Sequence, residues 1–279
     1  MPPVRLHYHD LEPNFGDDLN PWLWHRLLPG CLDAAAPDQL VAIGTLLNRR
    51  LPSARRTLIF GAGVGYGPPP AVDSSWHFYF VRGPLSAQVL GLPRGLGLTD
   101  PAILLRTLPA PAATQRAARA YMPHVGELRW RPGVWQAVCA AVGVRFVDPR
   151  GSVDEIRLAL AEIDTLYTEA LHGAICADAM RVPWVAVRTS GRVLSFKWED
   201  WCASMELPYR PVHLEGARLL LRQLGRSRLL AVIERDVLAR RLERALAIGR
   251  PTLSRPEVLD KRTAAVSAKL AELAAELAK

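Results

Sequence analysis

The chain has few cysteines, and they are not spaced as metal ligands or as disulfide partners. Its 279 residues include Cys31, Cys139, Cys176 and Cys202, which lie far apart and form no CxxC motif. This pattern argues against a disulfide framework and against a structural zinc site. We therefore expect four reduced thiols, most of them in the hydrophobic core.

Long hydrophobic segments are also missing. No apolar run approaches the roughly 20 residues that would span a bilayer, and the first residues, MPPVRLHYHDLEP, lack the apolar centre of a secretory signal. These absences predict a cytoplasmic protein. With 49% hydrophobic and 22% charged residues the composition is globular. Because the chain exceeds the usual single domain of about 100–150 residues, we expect two lobes, and one large domain is the alternative.

Acidic residues are outnumbered in the last quarter of the chain. Residues 210–279 contain 15 Lys and Arg but only 8 Asp and Glu, whereas the preceding 209 residues contain 20 and 19. Ala, Leu, Arg and Glu at helical spacing predict that this region is helical. A basic surface can meet nucleic acid, anionic lipid or phosphorylated ligands, or can simply be solvated. Since it has no interleaved aromatic residues and no DNA-binding motif, we expect no nucleic-acid partner.

Apolar runs alternate with helix-like segments through the first 209 residues. QLVAIGTLL and RTLIFGAGVGYG have the unbroken hydrophobicity of parallel strands covered on both faces. The Pro- and Ala-rich stretch RTLPAPAATQRAARA interrupts this alternation, and a second β/α series follows it. We therefore predict an α/β protein in which two Rossmann-like lobes, at 1–108 and 109–209, face a cleft. A basic helical region at 210–279 completes the predicted organisation.

The glycines of GAGVGYG do not match a dinucleotide-binding fingerprint. They alternate from Gly61 to Gly67, so the third glycine of the fingerprint is displaced, and prolines follow where a helix would have to begin. Without a helix N-terminus there is no dipole to hold a pyrophosphate. We predict a glycine turn at the carboxyl end of a strand and no nicotinamide or flavin cofactor.

Charged residues follow predicted strands at two places in the first series. Asp17 and Asp18, in NFGDDLN, could hydrogen-bond or deprotonate a sugar hydroxyl, or could instead stabilise the start of a helix. Arg82, in FYFVRGPLS, follows a buried run and could bind a carboxylate or phosphate through its guanidinium fork. A surface arginine is the alternative for Arg82.

A histidine lies at a predicted strand-to-helix junction of the second series. In DTLYTEALHGAICADAM the strand should end near Tyr167 and the helix should begin near His172. A helix N-terminus lowers the affinity of an imidazole for protons and favours an anion nearby. Glu169 is either a helix cap or the group that holds the ring in one tautomer. A purely structural histidine is the alternative.

Seven segments together resemble the polysaccharide pyruvyl transferase family, in the branch that acts on bacterial exopolysaccharides. They occur in the same order, between Asn14 and Trp201, and are NFGDDLNPWLW, GAGVG, VRGPLSAQVLGL, TDPAILL, MPH, EALHGAICADAMRVPWV and FKWEDW. The resemblance implies two Rossmann-like lobes similar to those of GT-B glycosyltransferases. It also implies transfer of the pyruvyl group of phosphoenolpyruvate to two hydroxyls of one sugar, which forms a cyclic ketal and releases phosphate.

The resemblance also implies where the donor binds. His172 of LHG and Arg82 of VRGP are expected at the phosphoenolpyruvate. Some family members have an arginine two residues before this histidine, but this chain has Ala170, so we add Lys197 and His124 as binding candidates. Protonation of the enol ether at C3 requires a general acid while cations hold the carboxylate and phosphate. We assign the acid role to His172 and expect neither a metal nor a cofactor.

The remaining predicted residues concern the acceptor. Asp17 is expected to orient or deprotonate the sugar hydroxyl, Glu169 is a further catalytic candidate, and Asn14 and Asp18 are expected to bind the acceptor. Because acceptors of the family are commonly lipid-linked, the region 210–279 would contact the anionic inner face of the membrane. Alternatively, this region packs on the lobes. The alternative function is a GT-B glycosyltransferase that uses a nucleotide sugar.

Overall fold

The structure is a computed structural model that describes residues 3–112, 118–130, 133–189, 193–214 and 228–278. Parts of the Pro- and Ala-rich stretch and of the predicted basic region 210–279 therefore lie outside the described residues. Contacts divide the chain into two compact units. The first unit comprises Met1–Pro109, Leu194–Tyr209 and Ser254–Lys279, and the second comprises Ala110–Val193 and Arg210–Leu253.

The first unit contains a four-stranded parallel sheet. Its strands are β1 (Arg5–His7), β2 (Gln39–Val41), β3 (Thr57–Phe60) and β4 (Trp76–Phe80), which pair in that order. Its helices in the first 109 residues are α1 (Phe15–Leu27), α2 (Pro84–Val89) and the 3₁₀ helices Arg94–Leu96 and Pro101–Thr107. Strands β2 and β3 are buried throughout, as their unbroken apolar sequences predict.

The second unit contains a five-stranded parallel sheet. Its strands are β5 (Ala118–Met122), β6 (Arg145–Phe146), β7 (Ile163–Thr168), β8 (Trp184–Arg188) and β9 (Val212–His213). They are arranged in the order β6-β5-β7-β8-β9. Its helices up to residue 179 are α3 (Val125–Trp130), α4 (Val134–Val142), α5 (Val153–Ala161) and α6 (Leu171–Ala179). A capping box formed by Ser152 and Glu155 begins α5.

The remaining helices are distributed between the two units. They are α7 (Ser195–Ser204), α8 (Arg228–Ile248) and α9 (Pro256–Leu277). Leu238, Leu242 and Ala245 of α8 join the core cluster of the second unit. In contrast, α7 and α9 belong to the first unit.

The division into units therefore differs from the predicted one at α7 and across 210–279. The first break in the chain falls where the proline-rich stretch predicts it, but the predicted basic region is not a separate body within the described residues. Helix α9 is held in the first unit by buried apolar residues, including Val258 and Leu273, and by the hydrogen bond from Tyr79 to Glu276. The alternative in which this region packs on the rest of the protein fits both α8 and α9.

Two further expectations concern the cysteines and the membrane. All four cysteines are buried free thiols, and burial raises the pKa of Cys139 to about 12. Among the helices of the described ranges, none is both long enough and apolar enough to span a bilayer.

Candidate functional site

The loop Gly61–Gly67 begins directly after β3 in the first unit. The next regular element is β4 at Trp76, so the predicted glycine turn is confirmed and a dinucleotide-type helix does not follow it. The loop lies at the carboxyl end of a parallel strand, the edge at which open α/β sheets bind ligands.

Arg82, which follows β4, is a buried ion that contacts this loop. Its Nε donates to Asp200 Oδ2 at 3.1 Å, its Nη1 to Thr45 Oγ1 at 2.9 Å and its Nη2 to the carbonyl of Val64 at 3.0 Å. These contacts use three of the five N–H donors of a guanidinium. Only 1% of the side chain is exposed, so a ligand would reach Arg82 directly only if its surroundings moved.

The glycine at position 63 is required by this arrangement. A Cβ there would lie 2.3 Å from Cζ of Arg82, which is closer than any side chain allows. The GAGVG and VRGP segments, which are separated in the sequence, therefore fit together in the fold. The sequence marks both segments, but it does not reveal their contact.

Asp200 of α7 is a key residue that the sequence analysis missed. Besides Arg82, its carboxylate accepts hydrogen bonds from the amides of Leu85 and Ser86, each at 2.9 Å, and from Ser86 Oγ at 2.5 Å. It thus caps α2, whose own N-cap residue, Gly83, has no side chain to do so. The acidic residue in FKWEDW was the available signal, but its partners are more than a hundred positions away.

Lys197, also in α7, is the second cation next to the glycine loop. Its Nζ lies 3.4 Å from the hydroxyl of Tyr66 and 5.8 Å from the centre of that ring. The side chain is 9% exposed, more than that of Arg82. The structure therefore brings Arg82 and Lys197, two of the predicted donor-binding residues, to the same loop.

The start of α1 contains three predicted residues. Asn14 is the N-cap: its side chain accepts from the amide of Gly16 at 3.3 Å and donates to Asp17 Oδ2 at 2.5 Å. Asp18 accepts from the amide of Asn14 at 3.2 Å. Burial raises the pKa of Asp18, which the amide of Asn14 opposes and the charge of Asp17 reinforces. Asn14 is therefore the cap, Asp17 and Asp18 lie in the first turn, where acidic residues stabilise a helix start, and contact of these residues with a sugar stays a prediction.

Asn20, which the sequence analysis did not single out, fixes α1 to the sheet. Its amide nitrogen donates to the carbonyl of Ile43 at 2.9 Å, and its amide oxygen accepts from the amide of Ile43 at 3.0 Å. Because Ile43 follows β2, this pairing brings the start of α1 to the carboxyl edge of the sheet. The signal was a polar residue on the same helix face as Leu23 and Trp24.

Glu169 organises the corresponding edge of the second unit. Its Oε1 accepts from the amide and hydroxyl of Thr189 at 2.7 and 2.5 Å, and its Oε2 accepts from the hydroxyl of Tyr121 and the amide of His124, both at 3.2 Å. Burial raises the pKa of Glu169, while the hydrogen bonds from Thr189 and His124 oppose this shift. Glu169 thereby ties together the segments at the ends of β5, β7 and β8. Its direct participation in catalysis stays a prediction.

His172 occupies the predicted position in the first turn of α6. Strand β7 ends at Thr168 and α6 begins at Leu171, and the imidazole is half-buried. The N-cap residue, Ala170, has no side chain that could accept from the first amides of the helix. A Cβ on Gly173 would lie 2.7 Å from Met122 Sδ, so the glycine of LHG lets α6 pack closely on the end of β5.

His124 follows β5 at the same edge. Its Nδ1 lies 3.1 Å from the amide of Gly126 and accepts its hydrogen, which in a neutral ring puts the proton on Nε2. Because β5 and β7 pair with Met122 opposite Thr168, both histidines come from the carboxyl ends of adjacent strands. That these histidines act on the same donor as Arg82 and Lys197 of the first unit stays a prediction.

In each unit, polar and ionisable residues gather at the carboxyl edge of a parallel sheet. The first unit provides buried cations around a glycine loop, and the second provides histidines beside a buried carboxyl. These features define the class of the protein: a two-unit α/β protein with parallel, Rossmann-like sheets and candidate sites for an anionic ligand.

The family model described as polysaccharide pyruvyl transferase matches residues 5–191, and the chain belongs to that family. The matched range contains every predicted site residue except Lys197. The chain is also similar to the succinoglycan biosynthesis protein ExoV of Rhizobium meliloti (strain 1021), with 42% identity over 205 residues. The alignment covers 71% of this chain and 63% of ExoV, so the chain spans less than two thirds of that relative's length.

Proposed function

We propose that this protein transfers the pyruvyl group of phosphoenolpyruvate to two hydroxyls of a sugar in an exopolysaccharide repeat unit that is linked to a lipid carrier. Family membership and the biosynthetic role in the name of ExoV support the reaction class and the polysaccharide. The observation that carries the proposal is that Arg82, which follows β4, and Lys197 of α7 both contact the loop Gly61–Gly67. A donor with both a carboxylate and a phosphate requires such cations.

The reaction divides into two additions. His172, as an imidazolium, gives a proton to C3 of the donor while the first sugar hydroxyl bonds to C2, and Asp17 accepts the hydroxyl proton. Loss of phosphate then generates an oxocarbenium centre at C2. The second hydroxyl adds to it and transfers its proton to the imidazole of His172, which the first step left neutral, and the ketal is closed. Asn14 and Asp18 would hold the acceptor, and Glu169 would keep the ends of β5, β7 and β8 in place.

The cations have different roles in this proposal. Lys197 is the more accessible one and would pair with the donor directly, with His124 Nε2 as a further hydrogen-bond donor. Arg82 would make such a contact only after a local shift of Thr45 or of the glycine loop. Without that shift, Arg82 contributes by holding the glycine loop in position through its hydrogen bond to the carbonyl of Val64.

The test is to incubate the protein with phosphoenolpyruvate and a panel of synthetic and lipid-linked glycosides. We expect phosphate release together with a mass gain on the sugar. Phosphate release without a change in the sugar would contradict group transfer. We also expect phosphoenolpyruvate to raise the free energy of unfolding by about 2.7 kcal/mol at a hundredfold excess over Kd. Stabilisation by nucleoside diphosphates but not by phosphoenolpyruvate would instead support the glycosyltransferase alternative.

Peripheral contact with an anionic membrane is a further part of the proposal. Helices α8 and α9 bury apolar faces in the two units, and we assign the contact with lipid headgroups to their exposed Lys and Arg side chains. Each such residue contributes about 1 kcal/mol near an anionic surface. We expect the protein to sediment with anionic vesicles and not with neutral ones. Equal partitioning into both would contradict an electrostatic contact.

A further inference from the structure

The first unit contains a pocket that none of the roles above uses. Its volume is about 590 Å³, and it is lined by residues that follow β1, β2 and β3, the carboxyl ends of three adjacent parallel strands. The polar residues that line it include His7, His9, Asn48, Arg49, Arg50 and Tyr66. This volume lies in the range of small-molecule sites, about 300–1,000 Å³.

The pocket has an uncompensated positive charge. No Asp or Glu is present among the described residues that line it. Arg49 and Arg50 are exposed, and neither forms an ion pair within the described part of the chain. Arg55 and Arg56, at the opposite end of β3, behave differently because both pair with Asp38.

The turn that contains the two arginines is fixed in place. The amide of Leu47 donates to the carbonyl of Gly63 at 3.1 Å, and the amide of Arg49 donates to the carbonyl of Pro68 at 3.2 Å. Within the turn, the amide of Arg50 donates to Asn48 Oδ1 at 2.9 Å. The guanidinium groups therefore extend from a backbone that is tied to the glycine loop, which lowers the entropic cost of binding a ligand.

The histidine at the end of β1 experiences the same positive environment. Burial lowers the pKa of His7, the charges of His9 and Arg5 lower it further, and Asp10 opposes them. Cations therefore outweigh the acidic group near His7. An anion in the pocket would compensate this excess of positive charge.

Tyr66 connects the pocket to the proposed donor cations. It lines the pocket, and its hydroxyl lies 3.4 Å from Lys197 Nζ. A three-carbon donor would leave most of this space empty, whereas a sugar with attached phosphates would occupy it. The pocket is thus suited to the reaction partner of the donor.

We propose that this pocket binds the phosphate-bearing end of the saccharide acceptor, a sugar diphosphate whose phosphates pair with Arg49 and Arg50. The assignment to the acceptor rests on the proposed function. Binding of a diphosphate does not, because it follows from the charge and geometry of the pocket alone. Bidentate guanidinium–phosphate pairing is the recognition mode that two adjacent, otherwise unpaired arginines provide.

The test is to compare the wild-type protein with the Arg49→Gln/Arg50→Gln double variant by isothermal titration calorimetry. The probes are inorganic pyrophosphate, a synthetic hexosyl diphosphate with a short alkyl chain, the same alkyl glycoside without phosphate, and phosphoenolpyruvate. We expect the double variant to bind the two diphosphates about 10- to 100-fold more weakly, because it loses charge-assisted hydrogen bonds. Its affinity for phosphoenolpyruvate should be unchanged, and the glycoside without phosphate should bind the wild-type protein weakly.

Arg26→Gln is the control. Arg26 lies in the last turn of α1, which returns the chain from β1 to β2 and therefore ends at the opposite edge of the sheet. The Arg26→Gln variant should bind every probe with the affinity of the wild-type protein. Unchanged thermal unfolding of all variants would show that the exposed substitutions leave the fold intact.

Three outcomes would overturn the proposal. Equal diphosphate affinities in the wild-type protein and the double variant would remove the pocket as the site. If the double variant failed to bind phosphoenolpyruvate, the pocket would be a donor site. If the double variant no longer sedimented with phosphatidylglycerol vesicles but kept its affinity for pyrophosphate, Arg49 and Arg50 would belong to a membrane-binding surface. If diphosphate binding is lost as expected but the wild-type protein forms no ketal, the proposed function fails and the pocket stands.

Discussion

At the scale of single residues, the Arg82–Asp200 pair joins two segments that lie 118 positions apart in the chain. Asp200→Asn would leave the guanidinium of Arg82 buried beside a neutral amide. We expect the free energy of unfolding to fall by about 3–5 kcal/mol, because breaking a buried pair leaves a charge without its partner. Urea denaturation measures this difference.

The matched control is Asp260→Asn, which removes a mostly exposed carboxylate that pairs with Arg106. Exposed pairs contribute about 0–1 kcal/mol, so this variant should be almost as stable as the wild-type protein. Equal losses in the two variants would show that burial is not what makes the Arg82–Asp200 pair important.

His172 is the residue on which the proposed proton transfer depends. His172→Gln keeps a polar side chain in the first turn of α6 but cannot deliver a proton at C3. We expect turnover, measured as phosphate release with ketal formation, to fall about 10²–10⁴-fold. The far-UV circular dichroism and the melting temperature should stay unchanged. Near wild-type turnover would exclude His172 as the general acid.

The sequence predicts where the ionisable residues lie along the strands better than it predicts what surrounds them. Arg82 and His172 do follow β4 and β7, since apolar runs and glycine turns mark strand ends. The burial of Arg82 could not be predicted, because it depends on Asp200, and no local pattern relates positions so distant in the chain. Asn20 is similar: its partner is the backbone of Ile43, which has no sequence signature.

At the scale of elements, the loop Gly61–Gly67 has no room for a Cβ at Gly61, Gly63 or Gly65. In Gly63→Ala the new methyl group would overlap the guanidinium of Arg82, which three hydrogen bonds hold in place. We expect a loss of stability of about 1–3 kcal/mol and a smaller rise in melting temperature on addition of phosphoenolpyruvate. Differential scanning fluorimetry with and without the donor measures both effects.

Gly95→Ala is the control for this prediction. Gly95 lies in the 3₁₀ helix Arg94–Leu96, and a Cβ there would have no neighbouring atom within 4 Å. Its melting temperature and its response to the donor should match those of the wild-type protein. If Gly63→Ala also matched the wild-type protein, the close contact with Arg82 would affect neither stability nor the response to the donor.

The elements themselves were largely predictable, whereas their assignment to units was not. Alternating β and α patterns predict the parallel strands of both sheets, and the capping box predicts the start of α5. Helical periodicity predicts α9 as well, but it contains no information on which sheet an apolar face will cover. The buried residues of α9 belong to the first unit, whose other segments, 1–109 and 194–209, come much earlier in the sequence.

At the scale of the whole molecule, stability should depend on acid through Asp38. Hydrogen bonds from Arg55, followed by those from Arg56, lower the pKa of Asp38 below its ordinary value. Its contribution to stability is therefore complete above the unfolded pKa of about 3.9 and is lost as the pH falls through the lower folded value. We expect Asp38→Asn to be less stable than the wild-type protein at neutral pH.

The difference between Asp38→Asn and the wild-type protein should shrink as the pH falls below about 4. Urea denaturation at a series of pH values measures it. A difference that is constant across this range would contradict the assigned ion pairs. Asp236→Asn is the control, because its pair with Arg235 is on the surface. Its free energy of unfolding should match that of the wild-type protein at each pH.

The three-part composition of the first unit has a consequence for how the protein is made. Many nascent chains let an amino-terminal domain fold on the ribosome while the rest is still being translated. Here β1 to β4 emerge early but acquire Asp200 only after the first segment of the second unit, 110–193, has been synthesised, and α9 only after the second segment, 210–253. The apolar strands of the early sheet therefore stay incompletely covered until α9, which ends at Leu277, has been synthesised. We expect the nascent chain to bind chaperones during that interval.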